Sequence, residues 1–222
     1  MQRFLELGEL NSKRGGRGFG LVAGNRTSTL SFQRGTGNFA SREYDVDLPI
    51  GVDFYLGHTL APTNGDDVTL ERTHPFETDR FLLAHNGILH NSDDLFAEWG
   101  FFENLPDIDS VAILAGIVHF IAEGDSVVDA IVTTASACQG QFACWLYDKQ
   151  DGGIYLWRVM SPIHVEIYRK HTPKMLLFSS EPTEKSVLIP QGEVFSVTQA
   201  AVLTPVRKFT FYDPYYRGEH HA

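Results

Sequence analysis

Chemistry concentrates between Phe81 and Asn91. An apolar run, Phe81 to Ala84, leads through His85 into Asn86-Gly87 and leaves through Ile88 and Leu89. Two readings fit the pair. An Asn-Gly dipeptide between hydrophobic residues is the strongest short-range signal for a tight hairpin turn. The same pair offers a carboxamide donor beside a backbone N–H unobstructed by any Cβ. Two such donors aimed at one point stabilise the oxyanion of a tetrahedral intermediate without reorganising. The readings are compatible, and the rest of the chain must choose between them.

A nucleophile for that intermediate is harder to place. Cys138 and Cys144 are the two cysteines of the chain. Both lie in or beside apolar segments, where a free cysteine behaves as a small hydrophobe. A reactive thiol must also be exposed and carry a lowered pKa, so both are read as structural. A different chemistry, metal-dependent hydrolysis, has ligand types in Asp66, Asp67, His74, His85 and His90. No spacing among them pairs histidines on one helix face, and the segment reads as strand and turn.

The elements that must position these groups follow from periodicity. Phe4, Leu7 and Leu10 recur every three residues, which predicts a short amphipathic helix over 2–11. Gly15, Gly16, Gly18 and Gly20 end it and let backbone approach closely. Strands are expected at Phe19–Ala23, Thr29–Phe32, Asp53–Leu60 and Phe81–His85. Asn91 or Ser92 can cap a helix through Trp99, with Asp93 and Asp94 favouring its positive end. Asp109 or Ser110 can cap the next, with Val111, Leu114, Ile117, Val118 and Ile121 as one apolar face. Gly124 closes it, and Ser126 to Ala137 reads as a further helix. After Gly140 the pattern is strand: Phe142–Tyr147, Ile154–Val159, His164–Tyr168, Met175–Phe178, Val194–Val197 and Ala201–Phe211, with a turn over 148–153. Strands, then helices, then strands is not the alternation of a parallel α/β fold. It predicts an α+β domain of two mostly antiparallel sheets packed together with helices outside.

Composition narrows the function classes. A chain of 222 residues without linker or repeat is expected to be one domain, 1–222. The formal net charge of −10 opposes sequence-independent nucleic-acid binding, which needs a cationic face, and Lys13, Arg14 and Arg17 are too few to reverse this. No apolar run approaches the ~20 residues that span a bilayer, so no membrane partner is expected. The amino terminus lacks a signal-peptide pattern, and two cysteines form no disulfide framework, so the cytoplasm is the expected compartment.

Beyond the Asn-Gly segment, five sites fall in a definite order. They are Arg14-Gly15; Gly57-His58-Thr59 with Thr63 and Gly65; His74-Pro75-Phe76; Asp109-Ser110; and Ser179-Ser180-Glu181. With Ala84-His85-Asn86-Gly87-Ile88-Leu89, this order resembles the glutaminase domain of class II glutamine amidotransferases, which are amino-terminal-nucleophile hydrolases. The resemblance runs from Arg14 to about Val197. It implies a four-layer αββα sandwich and no cofactor.

It also implies roles, residue by residue. Asn86 and Gly87 would form the oxyanion hole, and Asp109 would bind the α-ammonium of glutamine by a charge-assisted hydrogen bond. Thr63 would help hold the substrate carboxylate, Arg14 would order the nucleophile region, and His74 would lie near the pocket. The bland alternatives are a helix cap for Asp109, a solvated surface residue for Arg14 and a hydrogen-bonded structural imidazole for His74.

Two departures matter. The family nucleophile is an amino-terminal cysteine whose own α-amine is the base. This chain begins Met1-Gln2-Arg3-Phe4 and has no cysteine in residues 1–40. The first strand of the pattern is therefore expected upstream of Met1, and 1–222 alone is expected to be inactive. Second, many relatives grip the glutamine carboxylate with an arginine where this chain has Leu60. Arg72 and Arg80 are the nearby substitutes in sequence. The expected activity is hydrolysis of the glutamine side-chain amide, supplying ammonia to a synthase on another chain. The alternatives are a catalytically silent glutamine-binding or scaffold domain and, behind it, the metal-dependent hydrolase.

Overall fold

The computed structural model describes residues 1–26, 28–39, 48–61, 68–168 and 175–213. Helix α1 (Gln2–Asn11) precedes strands β1 (Gly18–Asn25), β2 (Ser28–Thr36) and β3 (Phe54–Leu60). A 3-10 turn at Leu70–Arg72 leads to β4 (Phe76–Glu77) and β5 (Phe81–Leu89). Helices α2 (Ser92–Trp99), α3 (Asp109–Ala122) and α4 (Val127–Ala137) follow. The remainder is strand: β6 (Gly140–Asp148), β7 (Ile154–Val159), β8 (His164–Tyr168), β9 (Met175–Ser179), β10 (Val187–Leu188), β11 (Glu193–Val197) and β12 (Leu203–Lys208). Among the described residues no helix is long and apolar enough to cross a membrane.

Alternation along single strands builds the layers. In β5, Phe81 and Leu83 enter one hydrophobic cluster, with Val111, Leu114 and Ile131 of the helices. Leu82 and Ala84 enter a second, with Val22 and Leu56 of the opposing sheet. Val22 points to that same space, while Phe19, Leu21 and Ala23 pack towards Phe4 and Leu5 of α1. Successive side chains leave a strand on opposite faces, so these clusters are the three interfaces of an αββα sandwich. The expected fold class holds, with one refinement. The inner sheet on the helical side is continuous, in the order β12-β11-β7-β6-β5-β4, whereas its partner layer is two three-stranded sheets, β2-β1-β3 and β10-β8-β9.

The principal correction concerns Asn86-Gly87. The pair does not turn. β5 runs straight through it, antiparallel to β6 from Phe81↔Asp148 to Leu89↔Gly140, with Asn86 opposite Ala143 and Gly87 opposite Phe142. Nine residues of ladder with partners more than fifty residues away outweigh a local turn preference. Gly87 has φ +146°, and a Cβ there would overlap the Gln141 carbonyl oxygen. Glycine is required by close backbone approach rather than by a reverse turn.

The helices also differ in detail. Asn91 stands at the start of α2 but makes no side-chain cap bond; its amide instead donates to Ala137 O and accepts from Gln139 N. Asp109 is the first residue of α3, with Ile108 in the capping position. From Ser110 to Ile117 every residue of α3 is buried, so it has no single apolar face. Ser126 does cap α4, accepting from Asp129 N at 3.2 Å.

Candidate functional site

A cavity of about 1280 Å³ opens between the two sheet layers. That exceeds the ~300–1,000 Å³ typical of small-molecule pockets. All seven residues of β3 and all five of β9 line it. Since their side chains alternate between faces, the cavity runs beside the strand edges rather than over one face. Among the described residues β3 is hydrogen-bonded to β1 alone and β9 to β8 alone, so each presents an edge unpaired by them to this space. Helix α1 lies across both. Phe4 packs over Gly57, while Asn11 Nδ2 donates to Ser179 Oγ at 2.8 Å and Ser180 Oγ donates to Asn11 Oδ1 at 2.6 Å.

Five of the six sequence-derived site residues line this cavity: Arg14, His74, Asn86, Gly87 and Asp109. Thr63 lies outside the described residues, as do Asp66 and Asp67. The half-buried Asn86 carboxamide has no side-chain partner among the described residues. It is therefore available to donate to an oxygen placed in the cavity. Asp109 joins β5 to α3: Oδ2 accepts from Leu89 N at 3.1 Å and Oδ1 from Ser110 N at 2.8 Å. A carboxylate oxygen has two lone pairs, so capacity remains for a ligand. Arg14 is solvent-facing and pairs with Glu181 at 3.2 Å, linking the first and last of the ordered motifs.

Behind Asn86 stands a group that the sequence did not reveal. Ser110 Oγ is 2.9 Å from His74 Nε2, 2.9 Å from His85 Nδ1 and 3.3 Å from Asp109 Oδ1. A single hydroxyl proton cannot serve all three neighbours, so at least one imidazole donates its N–H to Oγ. His58 extends the group, its ring centroid 4.1 Å from that of His74. Order in the sequence points to both His-Thr and Asp-Ser, but nothing in their spacing indicates that one hydroxyl bridges two distant imidazoles. Burial holds all three histidines below the ordinary imidazole pKa, His58 at about 4 and His74 well below the ordinary value. Mutual repulsion adds to this for His58 and His74, whereas Asp109 and the Gln141 backbone partly offset it for His85. The cluster is neutral at pH 7. His58 Nδ1, His74 Nδ1 and His85 Nε2 are buried without a partner in hydrogen-bond geometry.

The other candidates separate from the site. Arg80 does not face the cavity; it holds the buried Asp148 with contacts of 3.1, 3.1 and 2.7 Å. His90 is exposed and apart from the histidine cluster. Among the described residues no three His, Cys, Asp or Glu side chains are arranged to hold a metal ion. Burial pushes the Cys138 thiol up to about 12 and Cys144 well above the usual thiol range, with Asp109 adding to both. Neither is a thiolate near neutral pH, in accord with the structural role expected from sequence.

No family model matches the chain. Among curated proteins it is 30% identical over 134 residues to a glutamine–fructose-6-phosphate aminotransferase (isomerizing) of Halalkalibacterium halodurans, covering 59% of this chain and 22% of that protein. The chain spans about a fifth of the length of the curated relatives it matches. Among solved structures, the glutamine phosphoribosylpyrophosphate amidotransferase of B. subtilis superposes with a TM-score of 0.71 at 16% identity, over 92% of this chain and 46% of that one. A glutamine aminotransferase class-II domain protein from Silicibacter pomeroyi gives 0.58 at 14% identity, over 88% and 96%. The solved structures agree on the fold. With the ordered motifs gathered around one inter-sheet cavity, the chain resembles class II glutamine amidotransferases in fold, and over part of its length it is similar in sequence to glutamine–fructose-6-phosphate aminotransferases.

Proposed function

We propose that this domain binds glutamine between its two sheet layers and forms the oxyanion-stabilising half of a glutaminase site. The observation that carries the reading is the pairing of an unpartnered Asn86 carboxamide with Gly87 in mid-strand, open to the same cavity as Asp109. In the reaction, a thiolate attacks the side-chain carbonyl carbon. A C–S bond forms, and the carbonyl π pair moves onto oxygen, where Asn86 and the Gly87 N–H receive it. Collapse expels the nitrogen as ammonia once it is protonated, and water then hydrolyses the thioester to glutamate. Asp109 holds the α-ammonium. The neutral histidine cluster keeps positive charge away from that ammonium and fixes Asp109 through Ser110. The ammonia passes to a synthase.

The thiolate comes from an extended segment outside 1–222 that lies in the groove between β3 and β9. Two unpaired strand edges bordering one space favour this, because a strand added there satisfies both. The test is ammonia release from glutamine by residues 1–222 and by the chain extended in its own reading frame upstream of Met1. Release by the extended form alone supports the mechanism; silence from both overturns it.

A catalytically silent glutamine-binding domain is the second reading. The two fully protonated cysteines and Leu60 in the clamp position favour it. Calorimetric binding of glutamine by the extended chain, without turnover, would select it.

A further inference from the structure

Ser110 stands where three segments meet, and its hydroxyl has more claimants than protons. Oγ lies 2.9 Å from His74 Nε2 before β4, 2.9 Å from His85 Nδ1 on β5 and 3.3 Å from Asp109 Oδ1 at the start of α3. A hydroxyl donates one hydrogen bond and accepts two. Its proton therefore goes to an imidazole or to the carboxylate, not to both.

The far side of the His85 ring favours one arrangement. A Cβ on Gly87 would overlap Gln141 O and lie 2.9 Å from His85 Nε2, so carbonyl and ring nitrogen border the same small space. The Gln141 carbonyl attracts a proton on that ring, and a carbonyl oxygen only accepts, which favours a neutral His85 protonated on Nε2. Nδ1 is then a bare acceptor for the Ser110 hydroxyl, and His74 Nε2–H donates to Oγ. His74 Nδ1, buried without a partner in hydrogen-bond geometry, is left as an acceptor, the less costly group to leave unpaired. Asp109 Oδ1 keeps the Ser110 N–H at 2.8 Å and is free of the hydroxyl.

A second proton on His85 reverses this order. Nδ1–H must then donate, Oγ accepts from both imidazoles, and the hydroxyl proton turns onto Asp109 Oδ1, which stands 4.0 Å from Nδ1. The other titratable groups facing the ring among the described residues are His58 and His74, and Cys144 opposite His85 in the β5–β6 ladder with Cys138 beside it. Burial keeps all four neutral at pH 7, which leaves Asp109 as the charge that acts on His85.

We propose that Ser110 is a positioning residue whose single hydroxyl proton sets a second proton on His85 against a ligand ammonium on Asp109. Turned to His85, it leaves the carboxylate open to an ammonium; turned to Asp109, in acid, it occupies that oxygen. The competition is reciprocal, because each ligand must weaken the other by the same factor. The identity of the ligand rests on the glutamine-site reading above, whereas the placement of the proton does not.

Ring-nitrogen NMR of the histidines in residues 1–222, assigned with H74Q and H85Q, tests both parts. Near neutral pH, His74 and His85 should each carry the proton on Nε2, with His85 Nδ1 bare and hydrogen-bonded. S110A should abolish that bond and lower the His85 protonation midpoint by about one pH unit, because the imidazolium loses its acceptor. S110T, which keeps the hydroxyl, should restore both. Saturating glutamine should lower the wild-type midpoint by about one pH unit, a tenfold coupling, whereas 4-carbamoylbutanoate, which lacks the ammonium, should not lower it. A proton on His85 Nδ1 near neutral pH, or a midpoint indifferent to S110A, overturns the assignment of Ser110; the wild-type spectrum decides this even where S110A fails to fold. Glutamine that moves ring signals without moving the His85 midpoint overturns the competition alone. Glutamine that moves no ring signal overturns the glutamine-site reading, and the competition falls with it.

Discussion

The two ends of the β5–β6 ladder treat polar groups in opposite ways. At the Phe81↔Asp148 end, the buried charge is matched. Arg80 grips the fully buried Asp148 through two nitrogens, Gln150 N donates to the same carboxylate, and Lys149 reaches Glu77. At the other end, among the described residues, three buried imidazole nitrogens have no partner in hydrogen-bond geometry, and the Asn86 amide faces an open cavity. Both ends share one pair of strands, but the strands are buried throughout at the first end, whereas Asn86, Gly87 and Gly140 are half-buried and Ile88 and Gln141 exposed at the second. Buried polar atoms are nearly always satisfied in native proteins, so a concentration of unsatisfied ones marks where stability has been traded for something else. One end holds the ladder together, and the other holds a space.

Breaking the matched end should produce the largest loss. Arg80→Met leaves Asp148 buried with little beyond the Gln150 N–H, and removing one partner of a buried pair costs about 3–5 kcal/mol. Urea unfolding measures this; a loss below about 1 kcal/mol would remove the contrast between the ends. Acid should strike the other end. An imidazole held near pH 4 when folded and 6.5 when unfolded binds fewer protons in the folded protein between those values. Stability is then complete above about pH 6.5 and falls as the pH drops towards 4, by about 3 kcal/mol for His58 alone. Unfolding free energies across that window should slope accordingly, and His58→Gln should flatten the slope; a slope unaltered by H58Q would mean that the acid loss originates elsewhere. Asn86→Ala should change stability least, within about 0.5 kcal/mol, because no protein contact is lost. Ammonia release by the extended chain should nevertheless fall by roughly 10²–10³. A large loss of stability from N86A would place Asn86 with the structural end.

What was legible in the sequence follows the same division. Layers, helices and most strands came from periodicity, since burial on one face or both is written into which residues are apolar. Sequence points to Asn86-Gly87, which does line the cavity, but it predicts a turn where the structure has a strand. Turn preference is a property of four residues, whereas the ladder that overrides it depends on Gly140–Asp148, which no local window contains. Asn91 shows the same competition: its side chain suits a cap but spans to Ala137 and Gln139 instead. Order in the sequence points to Asp109 and His74, yet Ser110 as their common bridge emerges only when three segments come together. The division of one layer into two sheets left no mark in the pattern, because edge strands and central strands carry the same apolar alternation.

That division has a mechanical consequence. Asn86, Gly87 and Asp109 are carried by β5 and α3, parts of a body with a continuous six-stranded ladder and a helical backing. The opposite wall belongs to two smaller sheets, clasped by α1 through Phe4 on one side and Asn11 on the other. Local opening follows the least cooperative unit. The walls of the cavity can therefore breathe apart while the groups that face its contents keep their places, as in a hinged mould with one fixed half.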